Sequence, residues 1–218
     1  MNRPGVDGPG VDGRGTAPPG TAVPYDAVIL AGGRAERLGG ADKPGALVGG
    51  RPLVERVAAA VPDAGELVVV GPPRPMAAFS AVFTREDPPG GGPVPALRAG
   101  LAEVSAGWVA VLAADLPFLE PSHVSALFGA ARAAGAAGAV LVDDGGRRQW
   151  LTGVWRTETL RGALRQYRGR SLHGLLTPLE PVLVRLPAPE GGRPPWFDCD
   201  TEADLGAARR SAGPSGAR

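Results

Sequence analysis

Apolar residues in this chain fall in short continuous runs punctuated by glycine, proline and charge. Ala27–Leu30 is such a run, β-branched and closed by Gly32 and Gly33, and it predicts a buried strand. Glu66–Gly71 predicts a second, and Ala81–Thr84 a short third that ends at Arg85-Glu86-Asp87. Trp108–Ala114 is the most hydrophobic run and ends at Asp115-Leu116-Pro117. Between these, Pro52–Val61 predicts a helix with Leu53, Val54 and Val57 on one face and proline at its start. Helices are also predicted for Pro95–Val104 and for Pro121–Ala134, the latter capped near Ser122. The proline- and glycine-rich segment Pro88–Pro93 predicts a loop. Further on, Ala139–Val142, Gln149–Trp155 and Val182–Leu186 predict strands, with a hairpin turn at Asp143–Gly146. Thr157–Tyr167 and Ser171–Leu176 predict helices, and Thr201 is placed to cap a last helix with Asp204 at its third position.

Strands that alternate with helices and are apolar on both faces predict an α/β fold of three layers, a mainly parallel central sheet flanked by helices. The length suits one such domain, expected over residues 25–210, with disordered tails at 1–24 and 211–218. In these sheets ligands gather beyond the carboxyl ends of the strands. That rule singles out the Gly32–Gly33 loop, Asp87 and Asp115 together.

The net charge of +1, with basic residues scattered, leaves no footprint for nucleic acid. Cys199, the single cysteine, has no disulfide partner and no metal-ligand spacing, and His123 and His173 belong to no ligand motif, so all three are expected to be structural. No stretch reaches the roughly 20 apolar residues of a membrane helix, and the first 24 residues lack the apolar core of a signal peptide. A cytoplasmic protein with no membrane contact is the resulting expectation.

The chemistry concentrates in Leu30–Lys43. Gly32 and Gly33 let backbone N–H groups approach a ligand closely, and Arg34, Arg37 and Lys43 add cations to the same loop. Such a concavity suits a triphosphate. Asp42 before the lysine and Pro44 after it exclude a Walker loop, and no acidic residue closes a second strand as a dinucleotide site would require. Asp115, at the end of a central strand, is either a Mg²⁺ ligand or a turn or cap residue. Asp87 either accepts hydrogen bonds from a base or ribose, or begins a turn. Trp150, Trp155 and Trp196 could stack on a ligand, though aromatic residues more commonly pack in cores, and Arg147 and Arg148 fit a solvated turn.

The segment Gly39-Gly40-Ala41-Asp42-Lys43 resembles the signature loop of nucleotidyltransferases, most closely that of the molybdenum cofactor guanylyltransferase family. Gly92–Leu101, Ala114-Asp-Leu-Pro117, Gln149-Trp-Leu151 and Phe197-Asp-Cys-Asp-Thr201 resemble further segments of that family, in order, so that the likeness spans residues 26 to about 208. It implies a nucleotide-diphospho-sugar transferase-like fold, Mg²⁺, and GMP transfer from GTP to the terminal phosphate of molybdopterin, with other proteins of cofactor biosynthesis or insertion as partners. It also implies that Leu30, Ala31, Gly32, Gly33 and Lys43 bind the nucleotide, and that Gly71 and Asp87 lie near base and sugar. Lys43, Arg37 and Asp115 would be catalytic, with Asp115 holding the metal, and Gln149, Asp198 and Asp200 would approach the second substrate. Ala96 replaces a usual glycine, Trp150 a proline, and Asp198 and Asp200 stand where many members have asparagine. A CTP-dependent relative, a nucleotidyltransferase for another metabolite, and a non-catalytic nucleotide-binding module are the competing readings.

Overall fold

The computed structural model describes residues 23–32 and 42–213; Gly33, Arg34, Arg37 and most of both expected tails lie outside them. One seven-stranded sheet runs in the order β5 (Val82–Thr84), β4 (Leu67–Val70), β1 (Tyr25–Leu30), β6 (Trp108–Ala113), β8 (Arg148–Arg156), β7 (Gly138–Val142) and β9 (Val182–Val184). Only β8 runs against its neighbours; every other pairing is parallel. The mainly parallel sheet expected from the sequence is therefore present. Because β8 is reversed, its first residues lie at the same edge as the carboxyl end of β6.

Alternation inside the apolar runs builds the layers. Ala27, Ile29, Val69, Ala110 and Leu112 face one core, covered by α1 (Leu53–Ala58) and α3 (Pro121–Ala133). Val28, Leu30, Val70, Val109 and Val111 face the other, under α2 (Pro93–Ala102), α4 (Thr157–Gln166) and α5 (Leu172–Leu176). Ile29, Val28 and Leu112 are fully buried, and each such side chain contributes about 1.5–3 kcal/mol of transfer free energy.

Asp26 interrupts the apolar pattern of β1 yet is only 2% exposed. Its Oδ1 accepts from the Glu66 N–H at 2.9 Å, and its Oδ2 from the N–H groups of Ser105 and Ala106 at 2.7 and 2.8 Å. One carboxylate thus ties the start of β1 to the loops leading into β4 and β6.

Element limits differ from the expectations where proline acts. Pro52 pairs with Leu47 in an unforeseen hairpin of β2 (Leu47–Val48) and β3 (Arg51–Pro52), so α1 begins at Leu53. Gly49 and Gly50 turn this hairpin with φ of 56° and 74°, left-handed conformations that side-chain-bearing residues resist. Pro93, expected in a loop, instead opens α2, since the first turn of a helix does not need its N–H. The cap of α3 is Glu120 rather than Ser122, its N–H donating to His123 Nδ1 at 3.0 Å. The hairpin at Asp143–Gly146 is present, joining β7 to β8. Val23 packs on the core and the last helix, α6 (Glu202–Ser211), runs one residue past the expected domain end. No helix among the described residues is long and apolar enough to cross a membrane.

Candidate active site

At the carboxyl edge of the sheet the chain leaves β1 through Ala31 and Gly32. Ala31 N–H still donates to Val70 O at 2.8 Å, which holds the loop base against β4. Gly71 packs directly beneath: a Cβ there would sit 2.8 Å from Ala31 O and 3.3 Å from Gly32 N. Gly71 thus supports the loop from below.

Lys43 returns to this edge on a single 3-10 turn, Lys43–Gly45. Its Nζ donates to Asp115 Oδ2 at 2.5 Å and to Asp200 Oδ1 at 2.7 Å. Partial burial alone would depress the lysine, but Asp115 and Asp200 outweigh it and hold its pKa above the ordinary value. Lys43 is therefore a fixed cation. Arg74, beyond β4, donates to both Asp42 oxygens at 2.6 and 2.9 Å and anchors the residue before the lysine.

Asp198 and Asp200 reach this edge because a third apolar cluster carries them there. Cys199 is fully buried with Val48, Leu53, Leu205 and Ala208, and Phe197 packs against Phe118 with ring centroids 5.8 Å apart. The Cys199 N–H donates to Asp115 O at 3.2 Å, stitching the segment to the end of β6. The N-cap of α6 is Thr201, whose hydroxyl accepts from Asp204 N–H at 3.1 Å, as its sequence position suggested. The acidic pair is consequently not the cap. The carboxyl of Asp198 is pushed up first by burial and then by the like charges of Asp200 and Asp115. The Cys199 thiol is pushed up to about 12 by burial and then by Asp115, consistent with its expected structural role.

Beside Asp115 lies a cleft walled by Leu30 at the end of β1 and Gly32 just beyond it, by Ala113 at the end of β6 and Asp115 just beyond it, and by Leu151 from β8. The loop before α2 and the start of that helix complete it with Glu86, Gly90, Gly92, Pro93 and Ala96. Of the residues expected at the site, Leu30, Gly32 and Asp115 line the cleft; Lys43 and Asp200 converge on Asp115, and Ala31 and Gly71 lie under the loop base. Two do not join them. Asp87 is exposed while its neighbour Glu86 lines the cleft wall, because the strand ends at Thr84 and the next residues alternate outward. Gln149 donates to Asp143 Oδ2 at 3.0 Å and so braces its own hairpin, leaving Leu151 to face the cleft. Glu86 was not singled out in sequence, and only its position two residues past a strand marked it. Trp155 is fully buried in the core, and Trp150 sits edge-on to His173 at 5.9 Å with Arg148 over its ring.

This edge can bind an anion and a cation at once. Lysine carries three N–H donors, and two of those on Lys43 are engaged, which leaves one for a phosphate oxygen. Asp115 and Asp200 both reach one cationic position with carboxylate oxygens, the donor type that Mg²⁺ takes. Among the described residues no set of three or more His, Cys, Asp or Glu is arranged to hold a metal ion. Any divalent ion here would be completed by phosphate oxygens and water, the usual habit of Mg²⁺.

The MobA-like NTP transferase domain family matches residues 27–182. A molybdenum cofactor guanylyltransferase of Bradyrhizobium sp. is 33% identical over 197 residues, covering 85% of this chain and 92% of that protein. A probable molybdenum cofactor guanylyltransferase of Haloferax mediterranei is 38% identical over 110 residues, covering 47% of this chain and about half, 52%, of its own length. Among solved structures, molybdopterin-guanine dinucleotide biosynthesis protein A from Archaeoglobus fulgidus superposes with a TM-score of 0.64 at 21% identity, over 85% of this chain and 97% of that one. That likeness establishes the shared fold.

Proposed function

The chain belongs to the MobA-like NTP transferase domain family, and from that premise we propose that it transfers GMP from GTP to the terminal phosphate of molybdopterin. The products are pyrophosphate and the guanine dinucleotide form of the cofactor. The observation that carries this reading is the meeting of Lys43, Asp115 and Asp200 at the rim of a cleft walled by Leu30 and Gly32.

An oxygen of the acceptor phosphate attacks the α-phosphorus of GTP, a new P–O bond forms, and the bond from the α-phosphorus to the oxygen bridging it to the β-phosphorus breaks with pyrophosphate leaving. A phosphate monoester has its second pKa near 6, so at about pH 7 the nucleophile is already largely dianionic and no general base is required. The protein's work is then to align two anions and offset their repulsion. Lys43 offers its remaining N–H to the triphosphate while Asp115 and Asp200 fix the ammonium in place. Gly71 keeps the Ala31–Gly32 backbone at the floor of the cleft. Mg²⁺ held by Asp115, with Asp200 beside it, would neutralise charge on the phosphates. Arg37 and Gly33 belong to the same stretch of sequence and are proposed as phosphate ligands from the positive charge and bare backbone they supply there. The acidic segment Asp198–Asp200 borders the acceptor side, where Lys43 counters its repulsion of a phosphate.

Purified protein with Mg²⁺ and molybdopterin, offered GTP, CTP, ATP and UTP in turn, tests this directly. Pyrophosphate release and a guanine dinucleotide product by mass, with GTP the preferred donor, are expected. A preference for CTP would make the protein a cytidylyltransferase. Binding of GTP with no pyrophosphate released would make it a non-catalytic module.

A further inference from the structure

We infer that Arg74 is a positioning residue for the nucleotidyl transfer proposed above, on which this rests: it draws the Asp42 carboxylate away from Lys43, so that the ammonium is left to Asp115, Asp200 and a phosphate. Lys43 is the chain's single lysine. Its ammonium binds Asp115 and Asp200, while Asp42, the residue joined to it in sequence, presents a further carboxylate that is 62% exposed. Left free, that carboxylate would compete for the ammonium, and its charge would repel a triphosphate. Arg74 prevents both, because its Nη1 donates to the two Asp42 oxygens at 2.6 and 2.9 Å.

The arginine is built in rather than laid on the surface. Its side chain is only 10% exposed, and its Nε is buried with no hydrogen-bond partner. Among the described residues Asp42 is the one carboxylate with which it pairs. A cation sheltered from water holds its counter-ion more firmly than a fully exposed one does. The loop that carries Arg74 leaves β4 after Gly71 and is pinned by Glu55 of α1, a buried residue whose Oε1 accepts the Ala77 N–H at 2.8 Å. Gly45 makes room on the other side. A methyl there would overlap Asp42 Oδ2 and lie 3.8 Å from Arg74 Nη1. The Gly45 N–H also donates to Asp42 O at 3.1 Å, closing the turn on which Lys43 is presented. Arg74 and Gly45 together send the carboxylate onto the guanidinium and off the ammonium.

The test uses the full chain carrying Arg74→Gln, Arg74→Gln with Asp42→Asn, or Gly45→Ala, which keeps both charges but pushes the carboxylate aside. One readout is kcat/KM for GTP in transfer to molybdopterin. The other is the rate at which formaldehyde and cyanoborohydride methylate Lys43 with no nucleotide present. With one lysine in the chain, peptide mass separates this site from the amino-terminal amine. Arg74→Gln should lower kcat/KM by about tenfold, within the range of coupled charged neighbours. It should also speed methylation severalfold, as Asp42 pulls the ammonium from its 18% exposed position. Gly45→Ala should move both readouts in the same directions. Removing the carboxylate as well, in the double variant, should bring both back to within about twofold of the parent, which loss of a mere loop brace would not allow. A double variant as impaired as Arg74→Gln would overturn the inference, as would parental rates in Arg74→Gln. Should Arg74→Gln fail to fold, parental values in Gly45→Ala would overturn it instead. If the parent transfers no GMP, the proposed activity fails, and methylation of Lys43 across the same variants still decides the role of Arg74.

Discussion

Replacing Lys43 by alanine separates the chemistry of the site from the stability of the fold. The lysine side chain is 18% exposed, and its two partners Asp115 and Asp200 are 21% and 49% exposed. Ion pairs this accessible to solvent contribute about 0–1 kcal/mol each, so the two together account for no more than about 2 kcal/mol. For a domain of this size each kcal/mol moves Tm by about 2–4 °C, and the variant should melt within about 8 °C of the parent. Its effect on transfer is of another order. In the proposed reaction Lys43 is the fixed cation at the phosphate end, and loss of one preorganised electrostatic donor lowers kcat by about 10²–10³. Initial rates of pyrophosphate release at saturating GTP and molybdopterin, alongside a thermal melt, measure both quantities on one preparation. Lys43→Arg should recover part of the rate, since charge is retained while the planar guanidinium meets Asp115 and Asp200 differently. A Lys43→Ala variant turning over within fivefold of the parent would refute the role given to this residue. A melt lowered by 15 °C or more would show that the cluster serves the fold instead.

Asp115→Ala should likewise lower turnover by about 10²-fold or more, and a folded variant with near-normal turnover would remove Asp115 from the reaction. Gly71→Ala forces a methyl against Ala31 O, 2.8 Å away, where only backbone can yield; about 1–3 kcal/mol of destabilisation and a raised KM for GTP should follow, and an unchanged KM would dissociate Gly71 from the nucleotide loop. Asp26→Asn turns an amide donor toward at least one of the N–H groups of Glu66, Ser105 and Ala106; a loss of about 2–4 kcal/mol in denaturant unfolding is expected, with kcat of the folded fraction intact. The Cys199 thiol, ordinarily ionising at 9.0, is pushed up to about 12, so the unfolded chain loses this proton first. The stability it contributes is whole below pH 9.0 and is lost as pH rises toward 12; Tm should fall over that window less steeply in Cys199→Ala than in the parent, and identical slopes would exclude this thiol as the cause.

Local pattern was enough for much of this protein. Runs such as Ala27–Leu30 and Trp108–Ala114 are apolar on both faces, and only a covered, mainly parallel sheet accommodates several of them. The cap at Thr201 and Asp204 was legible for a similar reason, because its hydrogen bonds close within three residues. The glycine loop and Lys43 stand out in sequence because the triphosphate binding proposed for them needs bare backbone and positive charge close together along the chain. Contacts between distant segments were decided elsewhere. Lys43 and Asp200 are 157 positions apart, and they meet because Cys199 and Phe197 bury themselves against the Leu47–Pro52 hairpin and Phe118. Choosing between Glu86 and Asp87 required knowing where β5 stops and how the following loop folds onto α2, since adjacent residues there face opposite ways. The reversal of β8, which sets Leu151 rather than Gln149 on the cleft, likewise follows from packing across the sheet. The sequence alone determined the strands of the main sheet, the Thr201 cap and the chemistry available. Tertiary packing decided which carboxylates share one cation, because that depends on burial by residues far away along the chain.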